Sequence, residues 1–123
     1  GSPTARQDQL LGVVTRAQQA GVAAVRDGAV GAEIDQACRG ILAADGLADA
    51  FVHGVGHGVG LEIHEPPMLG SRSDVVLAAD WVITVEPGVY LPAEGGVRVE
   101  DTLLVTETGS QQLTRSPKEP SLG

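Results

Sequence analysis

His53-Gly54-Val55-Gly56-His57-Gly58-Val59-Gly60-Leu61-Glu62-Ile63-His64-Glu65-Pro66-Pro67 carries all three histidines of the chain. Each glycine costs about 1 kcal/mol relative to alanine inside a helix, so His53 and His57 are not a helical i, i+4 pair. The segment is extended or looped. Along an unbroken strand His53 and His57 would share a face and His64 would point the other way. Bringing all three together requires a break, which Gly58 and Gly60 can supply as a bulge or turn while letting another strand or a substrate approach the backbone. Three histidines in a glycine-broken strand read as a metal and acid–base site.

Other motifs fail against the residues present. A dinucleotide fingerprint needs G-x-G-x-x-G opening a helix, whereas this glycine run meets Pro66-Pro67. A zincin would need histidine at position 68, which is Met68. No phosphate-binding Walker loop, G-x-S-x-G elbow or C-x-x-C occurs.

Composition narrows the class. The chain's 123 residues suffice for one domain or half of a larger one. Eight Lys and Arg against sixteen Asp and Glu leave a net charge of −8, which argues against nucleic acid or an anionic membrane as partner. Phe51, Trp81 and Tyr90 are the only aromatics, so Val, Leu, Ile and Ala must build the core. The lone Cys38 excludes an internal disulfide, sits among apolar helical positions as a buried thiol, and fits a reducing, cytoplasmic setting. No apolar run reaches the length of about 18 residues that a membrane helix needs, and no secretory signal pattern opens the chain.

Two helices are expected first. Thr4 and Gln7 stand in capping-box register, with Pro3 at a tolerated first-turn position, and Leu10, Val14, Ala17, Gly21 and Ala24 form a small-residue stripe running to about Arg26. Asp27-Gly28 should end this helix. A second spans about Ala32 to Asp45, with Ile34, Ala37, Cys38 and Ile41 on one face, Glu33 and Asp35 as solvated charges in its first turn, and Gly46 beyond its end. Trp81 to Glu86 reads as a strand stopped by the turn pair Pro87-Gly88, which leaves Glu86 at its last position. Val97 to Thr106 reads as one alternating strand with Arg98 and Glu100 on the same face, and 113–123 as a polar tail. Alone, Glu86 reads as a turn acceptor, and Arg98 with Glu100 as a surface ion pair worth about 0–1 kcal/mol.

Taken together, His53-G-V-G-H-G-V-G-L-E-I-H-E-Pro66, Val85-E-P-G-V-Tyr90 and Gly96-V-R-V-E-Asp101 resemble the C-terminal half of the pita-bread, M24-type metallopeptidases. That group contains the Xaa-Pro dipeptidases (prolidases), aminopeptidase P and methionine aminopeptidase, and the motifs look more like the first two. The resemblance covers nearly the whole chain and implies that residues 1–123 are an α+β half-domain, two helices followed by a curved, mostly antiparallel sheet. It implies that His57, Glu86 and Glu100 are metal ligands, that His53 and His64 line the substrate cleft, and that Arg98 steadies Glu100. The implied activity is hydrolysis of the bond after an N-terminal residue of a peptide, typically before proline, by a hydroxide shared between two divalent ions about 3.5–4 Å apart. Imidazole and carboxylate donors suit Mn, the first expectation, or Co, Zn or Fe. Glu86 could act as base toward the attacking water, and His64 could hydrogen-bond the oxyanion.

The family's centre also takes two aspartates from strands upstream of the first long helix, and Asp8, Asp35 and Asp45 cannot replace them. The chain is therefore expected to hold three of five ligands, to be silent alone, and to form a homo-oligomer or associate with the missing N-terminal half. Met68 stands where prolidases often carry a carboxylate-binding arginine, and Arg72 is near it only in sequence. A noncatalytic pita-bread binding module and an inactive truncated fragment are the rival readings.

Overall fold

A computed structural model describes residues 1–118. Helix α1 spans Ala5–Ala24 and opens with a reciprocal capping box: Gln7 N–H donates to the Thr4 hydroxyl at 3.2 Å, and Thr4 N–H to the Gln7 side chain at 2.8 Å. Pro3 thus lies outside the first turn. Leu10, Val14, Ala17 and Gly21 are buried as the stripe requires, joined by Val13 and Gln18. The helix stops at Ala24, and Gly28, with φ of +84°, turns the chain four residues later.

Helix α2 spans Gly31–Ala44, followed by Gly46 at φ +72° and a short 3-10 turn at Ala48–Ala50. The two helices pack where Gly21 faces the Cys38 thiol and Val85, contacts that leave no room for a Cβ. Asp35 overturns the expectation of a solvated charge. It is fully buried and held in a two-pronged ion pair by Arg39, Nε to Oδ1 at 2.8 Å and Nη2 to Oδ2 at 3.2 Å. The pattern of the first turn favoured solvent, but Asp35 lies on the same helical face as Ile34, Cys38 and Leu42, and Arg39 one turn later supplies the compensating charge.

Seven strands follow among the described residues: β1 Gly56–Gly58, β2 Glu65–Leu69, β3 Val82–Val85, β4 Gly88–Leu91, β5 Gly95–Arg98, β6 Asp101–Val105 and β7 Ser110–Gln112. Five form an antiparallel sheet in the order β2-β1-β3-β6-β7, and β4 with β5 forms a separate ribbon. β2 contains the proline pair that excludes a helix here, and it is an edge strand, where proline removes no interior ladder bond. β7 is not among the expected elements.

The expected strand from Val97 to Thr106 is broken at Val99-Glu100, and its halves belong to different sheets. Burial nevertheless alternates across the break, with Val99, Asp101, Leu103 and Val105 inside. Asp101 is 4% exposed and accepts from Gln18 at 2.7 Å, Gln112 at 3.1 Å and Lys118 at 2.5 Å, so α1, β7 and the following tail all tie down the start of β6. The part of the expected tail from 119 to 123 lies outside the described residues.

Removing Arg39 would leave a buried, unpaired carboxylate. Arg39→Ala is therefore expected to destabilise the chain by about 3 kcal/mol, the lower end for a broken buried pair because Arg39 retains 29% side-chain exposure. Urea unfolding checks this, and a loss below about 1 kcal/mol, the scale of an exposed pair, would show that Asp35 is not relying on Arg39.

Candidate metal centre

Strand pairing creates the site. In the β1–β3 ladder Glu86 N–H donates to Val55 O at 2.7 Å, His57 N–H to the Thr84 hydroxyl at 3.1 Å, and Val59 N–H to Val82 O at 2.9 Å. His57 therefore stands opposite Thr84 and diagonal to Glu86 on one face. Between β3 and β6, Val85 faces Asp101, so the next opposed positions are 86 and 100. Pro87-Gly88 leads the chain away just after Glu86, one residue beyond β3, and Glu100 is where it returns. Two carboxylates far apart in sequence thus meet at the junction of the two sheets.

The His57 Nε2 and Glu86 Oε1 atoms are 2.9 Å apart, and one ligand atom from each of His57, Glu86 and Glu100 lies within 4.8 Å of the others. The side chains of His57 and Glu86 are only 12% and 14% exposed, and that of Glu100 is 39% exposed. His57 Nδ1 sits 2.9 Å from the Gly58 carbonyl, which only accepts, so this nitrogen carries a proton and Nε2 is turned toward the carboxylates. The donor set fits a divalent ion. Two donors at right angles, each about 2.1 Å from such an ion, are separated by about 3.0 Å. Imidazole with carboxylates is chemistry that Mn, Co, Zn and Fe accept.

Arg98 lies between both acids, Nε 3.6 Å from Glu86 and Nη2 3.7 Å from Glu100. The expected link to Glu100 is present, and the one to Glu86 is additional. The neighbouring Tyr90 hydroxyl raises the Arg98 pKa above its ordinary value, with desolvation opposing and the Glu86 charge reinforcing. At 52% exposure its Coulombic grip is screened by water.

Two of the three histidines come into ring contact, and the third shares a cleft with one of them. A register shift between His57 and Gly58 is the break that the glycines allow, and after it the loop 59–64 returns the His64 ring to a centroid distance of 4.4 Å from His57. His53 precedes β1; its Nδ1 donates to Gly54 O at 2.7 Å, its Nε2 meets the Tyr90 hydroxyl at 3.0 Å, and its ring stands edge-on to Phe51. A cleft of about 310 Å³ takes in His53, His57, Glu86, Arg98 and Met68. It shares His53, Gly54, Met68 and Leu69 with a neighbouring cleft of about 770 Å³ whose lining includes Arg72.

Thr84 and Tyr90 escaped the sequence reading. Thr84 had a usable cue, since it is two residues before Glu86 on the same strand face; Tyr90 had none, because its contact with His53 spans 37 positions. Cys38 is fully buried, and burial pushes its thiol up to about 12, so it is no nucleophile near neutrality. Among the described residues no helix is long and apolar enough to cross a membrane.

The chain is similar to known proteins over nearly its whole length. The Xaa-Pro dipeptidase of Pyrococcus furiosus is 44% identical over 119 residues, which are 97% of this chain and 34% of that protein. Among solved structures, the Xaa-Pro dipeptidase from Bacillus anthracis superposes with a TM-score of 0.94 at 44% identity, and the X-Pro aminopeptidase from Thermotoga maritima with 0.94 at 34% identity. Each alignment covers 97% of this chain and 34% of the other. Two helices followed by an open antiparallel sheet are thus half of a pita-bread fold. The model of metallopeptidase family M24 matches residues 1–107, and the chain belongs to that family. It spans about a third of the length of the curated relatives it matches.

Proposed function

We propose that residues 1–123 form the C-terminal part of a metallopeptidase catalytic domain that releases N-terminal residues from Xaa-Pro peptides. The observation that carries this reading is the convergence of His57, Glu86 and Glu100, with ligand atoms within 4.8 Å, where His57 and Glu86 line a cleft with His53 and the His64 ring packs against His57. His57, Glu86 and Glu100 are the metal ligands, and Arg98, beside both carboxylates, steadies Glu100. Two divalent ions, Mn first and Co, Zn or Fe as alternatives, would supply Lewis acidity and an activated water at neutral pH.

The chain's own residues divide the remaining work. The Glu86 carboxylate takes the proton of the attacking water, its orientation fixed by the Thr84 hydroxyl on Oε1 and by Arg98 beside Oε2. The exposed His64 imidazole donates to the oxygen of the scissile carbonyl as charge develops on it. His53, braced by Phe51 and Tyr90, orients the peptide along the cleft. The single buried thiol is in keeping with a reducing cytoplasmic compartment.

Three donors cannot complete two coordination shells, so the chain alone is catalytically silent and relies on further carboxylates from a protein of its relatives' size. Exposed Leu61, Ile63, Val52 and Val76 give it apolar surface for that partner segment or for a second copy.

Glu100→Gln keeps the side-chain shape and removes the charge. It is expected to weaken Mn²⁺ binding by at least tenfold, the scale seen even for groups outside the ligand shell, with an unchanged circular dichroism spectrum. Wild-type affinity in calorimetry would instead make Glu100 half of a surface pair. At tens of micromolar concentration, where association is commonly seen, light scattering should report self-association; a compact monomer would count against it. In a peptidase assay with excess Mn²⁺, Ala-Pro and a longer Xaa-Pro peptide should survive the isolated chain and be cleaved once a segment supplying the two aspartates, taken from a full-length relative, is added. Robust turnover by the chain alone, abolished by His57→Ala, would falsify the incomplete-site reading.

A further inference from the structure

We infer that the Thr84 hydroxyl is a positioning group that sets the separation of His57 and Glu86, and through it the affinity of the site for its first divalent ion; this rests on the ligand roles proposed above. Thr84 is 2% exposed, and its hydroxyl touches both residues: it accepts the His57 backbone N–H at 3.1 Å and donates to Glu86 Oε1 at 2.9 Å. Those directions have no alternative, because an amide N–H only donates and a carboxylate only accepts. The one hydroxyl proton is therefore committed to Glu86.

The oxygen that receives it is the same Oε1 that lies 2.9 Å from His57 Nε2, while Oε2 faces Arg98 at 3.6 Å. Thr84 thus turns Glu86 so that one oxygen meets the imidazole and the other meets the guanidinium. From its other side it holds the backbone of His57. Gly56 completes the clamp, since any Cβ there would strike the Thr84 carbonyl and force β1 away from β3. Without the hydroxyl, Oε1 loses its one hydroxyl donor and keeps only the His57 ring beside it, while Arg98 still draws Oε2 toward solvent.

A residue that merely filled the sheet interior would need no hydroxyl. Valine has the same branched shape and suits a strand at least as well. Thr84→Val therefore separates the two roles, and Thr84→Ser tests rescue, because serine returns the hydroxyl without the methyl. Mn²⁺ titration calorimetry on the 123-residue chain should show Thr84→Val weakened about 10–100-fold, the usual effect of losing a group that orients a ligand, and Thr84→Ser close to wild type. Melting curves in EDTA should rank the variants differently, with serine the less stable for its lost methyl. Should Thr84→Val not fold, Thr84→Ala read against Thr84→Ser gives the same comparison. Valine or alanine binding as tightly as wild type, or serine binding as weakly as valine, would overturn the inference. Failure of wild type itself to bind Mn²⁺ in a His57-dependent way would overturn the ligand roles first and this inference with them.

Discussion

The approach of β1 onto β3 is the constraint on which the site depends. Gly56 lies against the Thr84 carbonyl and Gly58 against the backbone of Glu65 and Pro66, contacts that a Cβ at either position would abolish. The glycines cost conformational entropy on folding, and they permit a strand to be sandwiched between β2 and β3 with His57 pointing along the face that carries Glu86. The distance between His57 and Glu86 follows from that sandwich, and the β3–β6 register adds Glu100.

Gathering two carboxylates beside an imidazole in a protein of net charge −8 is electrostatically unfavourable without a cation. Arg98 provides one at 3.6 and 3.7 Å, but half of its side chain is in water and its attraction is correspondingly weak. The arrangement is one that a divalent ion would stabilise far more than a single guanidinium does. The fold concentrates negative charge at a junction between sheets, where the Thr84 hydroxyl orients Glu86 and Arg98 lies beside both carboxylates.

Two buried acids brace the frame around that junction. Asp101, adjacent to Glu100, is satisfied by donors from α1, β7 and the tail, so the strand that presents Glu100 cannot shift without breaking three contacts. Asp35 fixes Arg39, whose Nη1 donates to the Phe51 carbonyl at 3.0 Å and whose guanidinium lies 4.2 Å over the Phe51 ring. Phe51 in turn meets His53 edge-on. Packing in α2 thus reaches the histidine cleft through one arginine and one phenylalanine.

Much of this was legible from local pattern. The capping box, the buried stripe of α1, the extent of α2, the Pro87-Gly88 corner and the glycine-broken histidine segment all depend on neighbours within a few positions, where periodicity and backbone restriction act directly. The motifs that resemble the M24 peptidases, and hence the family, could be read for the same reason. The tertiary structure alone decided what depends on a distant partner. It made an edge strand of a proline pair, divided the run from Val97 to Thr106 between two sheets while keeping its alternation, and buried Asp35 by giving it Arg39. It also brought Thr84 and Tyr90 to the site and Arg72 to the neighbouring cleft. A residue's period along the chain says which face it occupies, but the partner that will satisfy its charge or hydroxyl is set by strand register and helix packing, which no local stretch of sequence contains.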